Sequence, residues 1–224
     1  DGDAFLVSNL QAKKSKYSFS QFLKRFSIVK EEMQIDLDEF DLSYYTYGMS
    51  IYKNMPLIEP LETKEVKKIY EFVIVLDTSY SIDENLAKRF ISNTYSILST
   101  SNMFYKSCKV HIIQCDDRIR KDDVISNQNE MDRLLNSFSL IGGGNTDFRP
   151  VFSYVNDLVD HKAFQNLCGL LYFTDGKGIY PKKSPAYKTA FIYLEDYDQS
   201  KVPSWAIQYR LEEKLWIYYR QKMK

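Results

Sequence analysis

The sequence lacks several features that would place it in a functional class at once. Lys plus Arg and Asp plus Glu each number 30 in 224 residues, so the formal net charge is zero. Broad binding to nucleic acid needs a basic surplus, and a membrane span needs an apolar run of roughly 18 residues. Neither is present, and no basic segment with an apolar core stands at the N-terminus. We therefore expect a cytoplasmic protein with no nucleic-acid or membrane partner.

Cysteine is scarce as well. The three cysteines form no Cys-x-x-Cys pair, which argues against a structural zinc site. They are Cys108, Cys115 and Cys168, and each lies within or directly before a predicted strand. We expect them to be reduced core residues of an intracellular protein.

Motifs of three common enzyme classes are missing. The chain has no His-Glu-x-x-His, which a zinc peptidase needs, and no Gly-x-Ser-x-Gly, which marks many serine hydrolases. A phosphohydrolase with a strand-end Asp nucleophile needs a second Asp two residues later, where Ser79 stands. We therefore predict that this chain is not an enzyme.

What the sequence does have is a set of polar side chains where buried strands end. The apolar run 72–76 leads directly into Asp77, the run 170–173 leads through Thr174 into Asp175, and a glycine-rich loop lies between the two runs in the sequence. In open α/β sheets, ligands bind at the carboxyl ends of the strands. Carboxylate and hydroxyl oxygens suit a hard cation such as Mg2+, Mn2+ or Ca2+. The predicted metal ligands are Asp77, Ser79, Ser81, Thr146 and Asp175.

Each of these motifs also has a structural explanation when it is taken alone. Ser79 and Ser81 are good caps for the helix predicted at 82–98, and Thr146 is a good cap for the helix predicted at 147–159. Asp175 and Gly176 are typical of a turn. The joint occurrence of the three motifs, two of them at strand ends, favours a metal site over three unrelated local features.

Strands and helices alternate from Ile69 onward. This β-α-β order predicts an α/β fold with a doubly wound, mostly parallel sheet. One exception is an antiparallel edge strand, which we expect after a tight turn at Asp116 and Asp117. The predicted strands are 71–76, 109–115, 118–125, 169–173, 189–194 and 204–209, and the predicted helices are 82–98, 130–138, 147–159 and 211–224.

The first part of the chain has a different hydrophobic pattern. Apolar residues recur at helical spacing within Tyr17–Phe26, whereas Tyr44–Gly48 is read as a short strand in an irregular stretch. We divide the chain into a helical N-terminal extension with an irregular segment, 1–66, and an α/β domain, 67–224. Parallel sheets need both faces covered, and the connectors after Asp175 and Asp196 are too short for full helices. We therefore expect the extension to pack on the sheet.

The three motifs together resemble a known family. Asp77-x-Ser79-x-Ser81, the glycine loop ending in Thr146-Asp147, and Thr174-Asp175-Gly176 follow the order and spacing of a von Willebrand factor A domain with its metal-ion-dependent adhesion site. The resemblance implies a von Willebrand A/Rossmann-like fold. It also implies a protein-interaction module in which a bound metal accepts an Asp or Glu carboxylate from a partner.

A closer resemblance extends over most of the chain. It links the sequence to the C-terminal half of a bacterial family that joins a metallopeptidase-like region to a von Willebrand A-like domain. Relatives are often linked with MoxR-type AAA+ ATPases, so the resemblance implies such a partner. An alternative is the interaction half of a longer metallopeptidase-like protein, with any zinc motif upstream of Asp1. The segments that carry this likeness are 17–26, 40–41, 45–48, 56–60 and 142–150.

The resemblance also implies a role for each ligand. Ser79, Ser81 and Thr146 would bind the metal through hydroxyls, and Asp77 and Asp175 mainly through water. Asp147 is expected to orient its helix rather than to bind metal. The sequence departs from the family at Tyr80, where Gly is usual, which allows the ring to cover the site or select partners. Lys177, just beyond Asp175, is placed to compete with or recruit an anionic ligand.

Overall fold

The structure is a computed structural model that describes residues 18–79, 82–100, 104–193 and 196–211. The chain clusters into two compact units, one formed by residues 28–68 and the other by the residues before and after them. The larger unit is built on a sheet with the strand order β4 (Ile119–Ile125), β3 (Phe104–Cys115), β2 (Pro60–Asp77), β5 (Leu167–Thr174), β6 (Thr189–Tyr193) and β7 (Ile207–Arg210). In this unit, strand β2 contributes only residues 69–77, and its earlier part belongs to the smaller unit.

The sheet is parallel except at one edge. Strand β4 pairs antiparallel with β3, and the other neighbours in the order run parallel. This confirms the predicted α/β fold and the predicted antiparallel edge strand after the Asp116–Asp117 turn. The helices of this unit are α2 Glu84–Thr100, α3 Gln128–Ser137 and α4 Arg149–Asp160.

Both faces of the sheet are buried, which explains why its central strands are apolar without alternation. On one face, Val73 and Val75 of β2 join a buried cluster with Val151 and Val155 of α4. On the other face, the ring of Phe90 in α2 stacks on Phe173 with ring centroids 4.2 Å apart. Burial on both faces is typical of parallel sheets.

The helical residues 18–23, continued by the 3-10 turn Lys24–Phe26, cover part of that second face. Phe26 is fully buried and meets Phe72 edge-on at 5.4 Å, and Phe22 lies 4.6 Å from the ring of Tyr209. A side chain at Gly169 would overlap the ring of Phe26, so glycine permits this close approach. These contacts confirm that an N-terminal helix packs on the sheet.

The smaller unit, residues 28–68, differs from the prediction. It contains an antiparallel pair, β1 Ile28–Phe40 with the first half of β2, and the helix α1 Leu42–Tyr52. The predicted short strand at Tyr44–Gly48 was wrong, and it lies inside α1. The helix begins there because the Asp41 carboxylate accepts hydrogen bonds from the N–H groups of Ser43 and Tyr44. The boundary at residues 66 and 67 stays a prediction.

Several smaller predictions can be compared with the structure. The last strand begins at Ile207 rather than at residue 204. The three cysteines are free and buried, as expected for reduced core residues. Among the described residues, no helix combines the length and apolarity needed to cross a bilayer. The predicted C-terminal helix lies almost entirely outside the described residues, because the description ends at Leu211.

Phe26→Ala should destabilise the protein by about 3–5 kcal/mol, because it removes a fully buried ring from the sheet surface. Phe26→Leu is the matched control, since it keeps most of the buried volume and should cost less than about 1.5 kcal/mol. Urea unfolding of both variants measures the difference. Equal stabilities of the Ala variant and the wild type would show that residues 18–26 are not part of the folded core.

Candidate metal site at the carboxyl edge of the sheet

Asp77 ends strand β2, and its carboxylate is completely buried. Thr174 at the end of the neighbouring strand β5 donates its hydroxyl to Asp77 Oδ2 at 2.6 Å, and the Ser79 N–H donates to Oδ1 at 3.0 Å. Thr174 Oγ1 in turn accepts from the Gly176 N–H at 3.0 Å. The Asp77 carboxylate therefore fixes the two strand ends and the two loops that follow them.

Asp175 lies beside Asp77 at the same edge. It is buried, with 5% of its surface exposed, and its charge is one of the influences that raise the pKa of Asp77. Its Oδ1 accepts from the Lys177 N–H at 2.9 Å, and Lys177 Nζ lies 3.5 Å from its Oδ2. The two acids that the sequence assigns to one site are therefore neighbours.

Burial is the main cause of the raised pKa of Asp77. The hydrogen bonds from Thr174 and Ser79 act in the opposite direction, because they favour the ionised form. Within the described residues, no basic side chain pairs with this carboxylate. Asp77 is therefore an acid whose charge is removed from water and whose described hydrogen-bond partners are neutral donors.

The glycine loop closes over the same edge from the other side. The Gly143 N–H donates to the Thr78 carbonyl at 2.8 Å, and a side chain at Gly142 would overlap the Thr78 hydroxyl. That hydroxyl is buried and has no hydrogen-bond partner among the residues that the structure describes. The loop thus seats directly on the residue that follows Asp77, and only glycine fits at position 142.

Thr146 lies next to the loop that follows Asp175. A Cβ atom at Gly178 would stand 2.7 Å from Thr146 Cγ2, and the Phe148 N–H donates to the Ile179 carbonyl at 3.1 Å. The structure therefore gathers the loops that carry Asp77, Ser79, Thr146 and Asp175. Ser81 and Tyr80 lie outside the described residues, so the structure gives no position for these two predicted site residues.

The alternative of Thr146 as a helix cap was wrong. Helix α4 begins at Arg149, and the preceding residue, Phe148, makes no side-chain cap. The N–H of Arg149, the first residue of the helix, instead donates to Asp147 Oδ1 at 3.0 Å. Asp147 also pairs with the Arg149 guanidinium at 2.6 Å, in line with its predicted role of orienting the helix.

A third strand-end acid, Asp116, was interpreted from the sequence only as part of a turn. It follows β3, is fully buried and pairs with the Arg120 guanidinium at 2.7 Å. Its sequence signal was the same as that of Asp77 and Asp175, an acid directly after a buried strand. Burial would raise the pKa of Asp116, but hydrogen bonds from Arg120 and from backbone N–H groups hold it well below its usual range.

The residues present fit a hard cation. Among the described residues, no three His, Cys, Asp or Glu side chains form a cluster able to hold a metal by themselves. The site instead offers two carboxylates with neighbouring hydroxyls, a donor set suited to Mg2+, Mn2+ or Ca2+ rather than to zinc. The desolvated Asp77 charge, repelled by Asp175, is what such a cation would compensate.

Comparison with protein families gives one match. The model described as VWA-like domain (DUF2201) matches residues 72–212, which include the strands and loops of the site. No curated protein matches the chain.

Several solved structures are similar to this chain at low sequence identity. The von Willebrand factor type A structure from Catenulispora acidiphila is 10% identical with a TM-score of 0.47, over 71% of this chain and 43% of that one. The ArnB paralog VWA2 from Sulfolobus acidocaldarius is 14% identical with a TM-score of 0.46, over 86% and 53%. Proximal thread matrix protein 1 from the mussel byssus, solved with a zinc-occupied MIDAS motif, is 10% identical with a TM-score of 0.45, over 68% and 47%. The matches span about half of each of these proteins.

Metal-free Asp77→Asn protein should be more stable than the wild type at about pH 7. Because the folded-state pKa of Asp77 is raised, its stabilising contribution is complete below the ordinary Asp pKa and is lost as the pH rises through the folded pKa. The amide stays neutral and avoids this loss. Urea unfolding in EDTA at about pH 7 and about pH 4 measures the difference, which should shrink at the lower pH.

The control is Asp157→Asn on the exposed side of α4, which should leave stability unchanged at both pH values. A wild type more stable than Asp77→Asn at the higher pH would contradict the idea that burial of this charge opposes folding.

Proposed function

The chain belongs to the family of VWA-like domains, and from this membership we propose that it is a metal-dependent protein-interaction module. VWA-like domains are generally non-catalytic interaction modules, and membership of this family is consistent with a domain that is not an enzyme. The proposed site lies at the carboxyl edge of the sheet. Its occupant is a divalent cation, with Mg2+ as the first candidate and Mn2+ or Ca2+ as substitutes.

One observation carries the proposal, which is the contrast between two fully buried strand-end acids. Asp116 has the Arg120 guanidinium as a partner, and its pKa is lowered. Asp77 is equally buried, but its partners are the Thr174 hydroxyl and the Ser79 N–H, and its pKa is raised. A buried carboxylate normally has a cationic partner or coordinates a metal. The missing positive charge at Asp77 supports a bound cation there.

The proposed ligands combine acids and hydroxyls around that position. A bound divalent cation would supply a Lewis-acidic centre that accepts a further oxygen ligand. Because Asp77 and Asp175 are proposed to bind mainly through water, the direct ligands only partly neutralise such a cation, and its open position favours an anionic ligand from outside. The proposed metal-binding residues are Asp77, Ser79, Ser81, Thr146 and Asp175.

The surroundings of the site support a protein partner that presents an Asp or Glu side chain. Lys177, whose side chain is 71% exposed, adds positive charge next to Asp175. Two exposed apolar residues flank the loops, Ile141 before the glycines and Ile179 after Gly178. A cationic centre with apolar neighbours suits a carboxylate carried on a folded partner. The family resemblance makes a MoxR-type AAA+ ATPase the first partner to test.

Metal binding should stabilise the folded protein. A ligand at a hundredfold excess over its Kd adds about 2.7 kcal/mol. Unfolding in EDTA, Mg2+, Mn2+ and Ca2+ should therefore show stabilisation of the wild type that is absent from Asp77→Ala and Ser81→Ala. Asp157→Ala, an exposed acid on α4, is the matched control and should respond as the wild type does.

Two outcomes would count against the site. Equal stabilisation of the wild type and Asp77→Ala would place any bound metal elsewhere. No stabilisation of the wild type at millimolar metal would mean that the isolated domain does not hold the ion.

Binding of a purified MoxR-type AAA+ ATPase should depend on both the metal and the site. We expect association in Mg2+ or Mn2+, dissociation in EDTA, and loss of binding for Thr146→Ala, whereas Asp157→Ala should bind normally. The affinity is measured with the domain immobilised on a surface and the ATPase in solution. Binding that persists in EDTA would indicate a contact that does not pass through a metal.

A further inference from the structure

We propose that Asp116 and Arg120 form a latch that positions the Thr146 loop and so sets the affinity of the site for its metal. This inference rests on the proposed function, because it concerns the same site. Asp116 and Arg120 are positioning residues in this proposal, and neither is a metal ligand. The latch is the side-chain pair Asp116–Arg120 together with the backbone groups that it holds.

The pair itself has near-ideal geometry. Arg120 Nε donates to Asp116 Oδ1 at 2.8 Å, and Arg120 Nη2 donates to Oδ2 at 2.7 Å. This two-pronged arrangement fixes the orientation of the carboxylate as well as its position. Asp116 is fully buried, whereas the Arg120 side chain is 22% exposed. The Arg120 guanidinium thus offsets the desolvation free energy of burying the Asp116 carboxylate at this edge of the sheet.

The same carboxylate also organises backbone. Its Oδ1 accepts from the Asp117 N–H at 2.7 Å and from the Arg118 N–H at 3.3 Å, which closes the turn between β3 and β4. Its Oδ2 accepts from the Gly144 N–H at 3.2 Å. The carboxylate therefore joins a rigid turn at the sheet edge to the glycine loop.

Asp116 holds the loop on both sides of Thr146. Gly144, two residues before Thr146, donates to the side chain, and the Asp147 N–H, one residue after it, donates to the Asp116 carbonyl at 3.1 Å. A Cβ atom at Gly144 would stand 2.9 Å from Asp116 Oδ2, so the loop backbone rests directly on the carboxylate. Thr146 lies between two points fixed by one residue.

Other contacts fasten a different part of the loop. Gln114 Oε1 accepts from the Ile141 N–H at 2.8 Å, and Glu84 Oε2 accepts from the Leu140 N–H at 3.2 Å. The Thr78 carbonyl accepts from the Gly143 N–H at 2.8 Å. These contacts precede Gly144. After Thr146, the Phe148 N–H donates to the Ile179 carbonyl at 3.1 Å. Among the described contacts, those of Asp116 are the ones that hold both sides of Thr146, and loss of its side chain would release the Gly144 side and displace the hydroxyl.

The test compares metal affinity across variants, with Mn2+ as the probe and its Kd measured by titration calorimetry. Asp116→Asn keeps the shape but removes the charge that binds Arg120, and it should weaken Mn2+ binding by about 10–100-fold, the usual cost of losing a group that orients metal ligands. Gly144→Ala leaves Asp116 and Arg120 in place and pushes the loop off the carboxylate. It should weaken Mn2+ binding in the same direction.

Glu71→Gln is the matched control for a lost buried carboxylate. Glu71 lies on the same strand as Asp77, is also buried, and accepts from the N–H groups of Gln165 and Asn166 at 2.6 and 2.7 Å. Its loss should lower folding stability but leave the Kd for Mn2+ unchanged. A merely structural role for Asp116 would give the same result as this control.

A second readout needs no metal. In EDTA, hydrogen exchange at the Gly144 amide should accelerate in Asp116→Asn but not in Glu71→Gln, because only the first variant weakens the bond that protects it. Should Asp116→Asn fail to fold, Gly144→Ala carries the test. Unchanged Mn2+ affinity in the folded variants overturns the latch alone, whereas a wild type that binds no Mn2+ overturns the proposed function and the latch with it.

Discussion

The burial of the Asp77 carboxylate is the constraint on which the carboxyl edge of the sheet depends. This charge at the end of a central strand is removed from water, and the Thr174 hydroxyl and the Ser79 N–H donate hydrogen bonds that stabilise it. The first bond ties the end of β2 to the end of β5, and the second shapes the loop that follows β2. The Gly176 N–H, which donates to Thr174 Oγ1, shapes the loop that follows β5. Gly142 then brings a third loop onto Thr78, next to the same carboxylate. Such an arrangement lowers stability, which is common where binding sites are built.

The elements that the sequence predicted best are those whose pattern is local. Both faces of the central strands are covered, so runs such as Leu170–Phe173 stay apolar throughout and stand out as buried strands. The helix at 18–23 was also predictable, because Phe19, Phe22 and Phe26 recur on one face and are all buried. Strand ends that carry acids then locate the edge of the sheet where a site can form.

The errors arose where a local preference was overridden or where a contact is distant in sequence. Tyrosines favour strands, yet the Asp41 cap starts a helix through the tyrosine-rich stretch that follows it. Met33, Ile35 and Leu37 alternate as in a strand, but they stand among acids and are exposed, so no buried face marked β1. The role of Asp116 depends on Gly144, 28 residues later, and no local pattern reports that contact.

The three strand-end acids differ in how firmly each is matched with positive charge. Asp116 has a two-pronged guanidinium. Asp175 pairs with the ammonium of Lys177 at 3.5 Å, on a side chain that is 71% exposed. The lysine end of this pair is exposed, so a divalent cation can displace the ammonium from Asp175. Asp77 lies between them with no basic partner among the described residues. Asp116 is thus firmly paired with Arg120, Asp175 is paired with a lysine that a cation can displace, and Asp77 has no basic partner among the described residues. A divalent cation therefore gains the most electrostatic stabilisation beside Asp77.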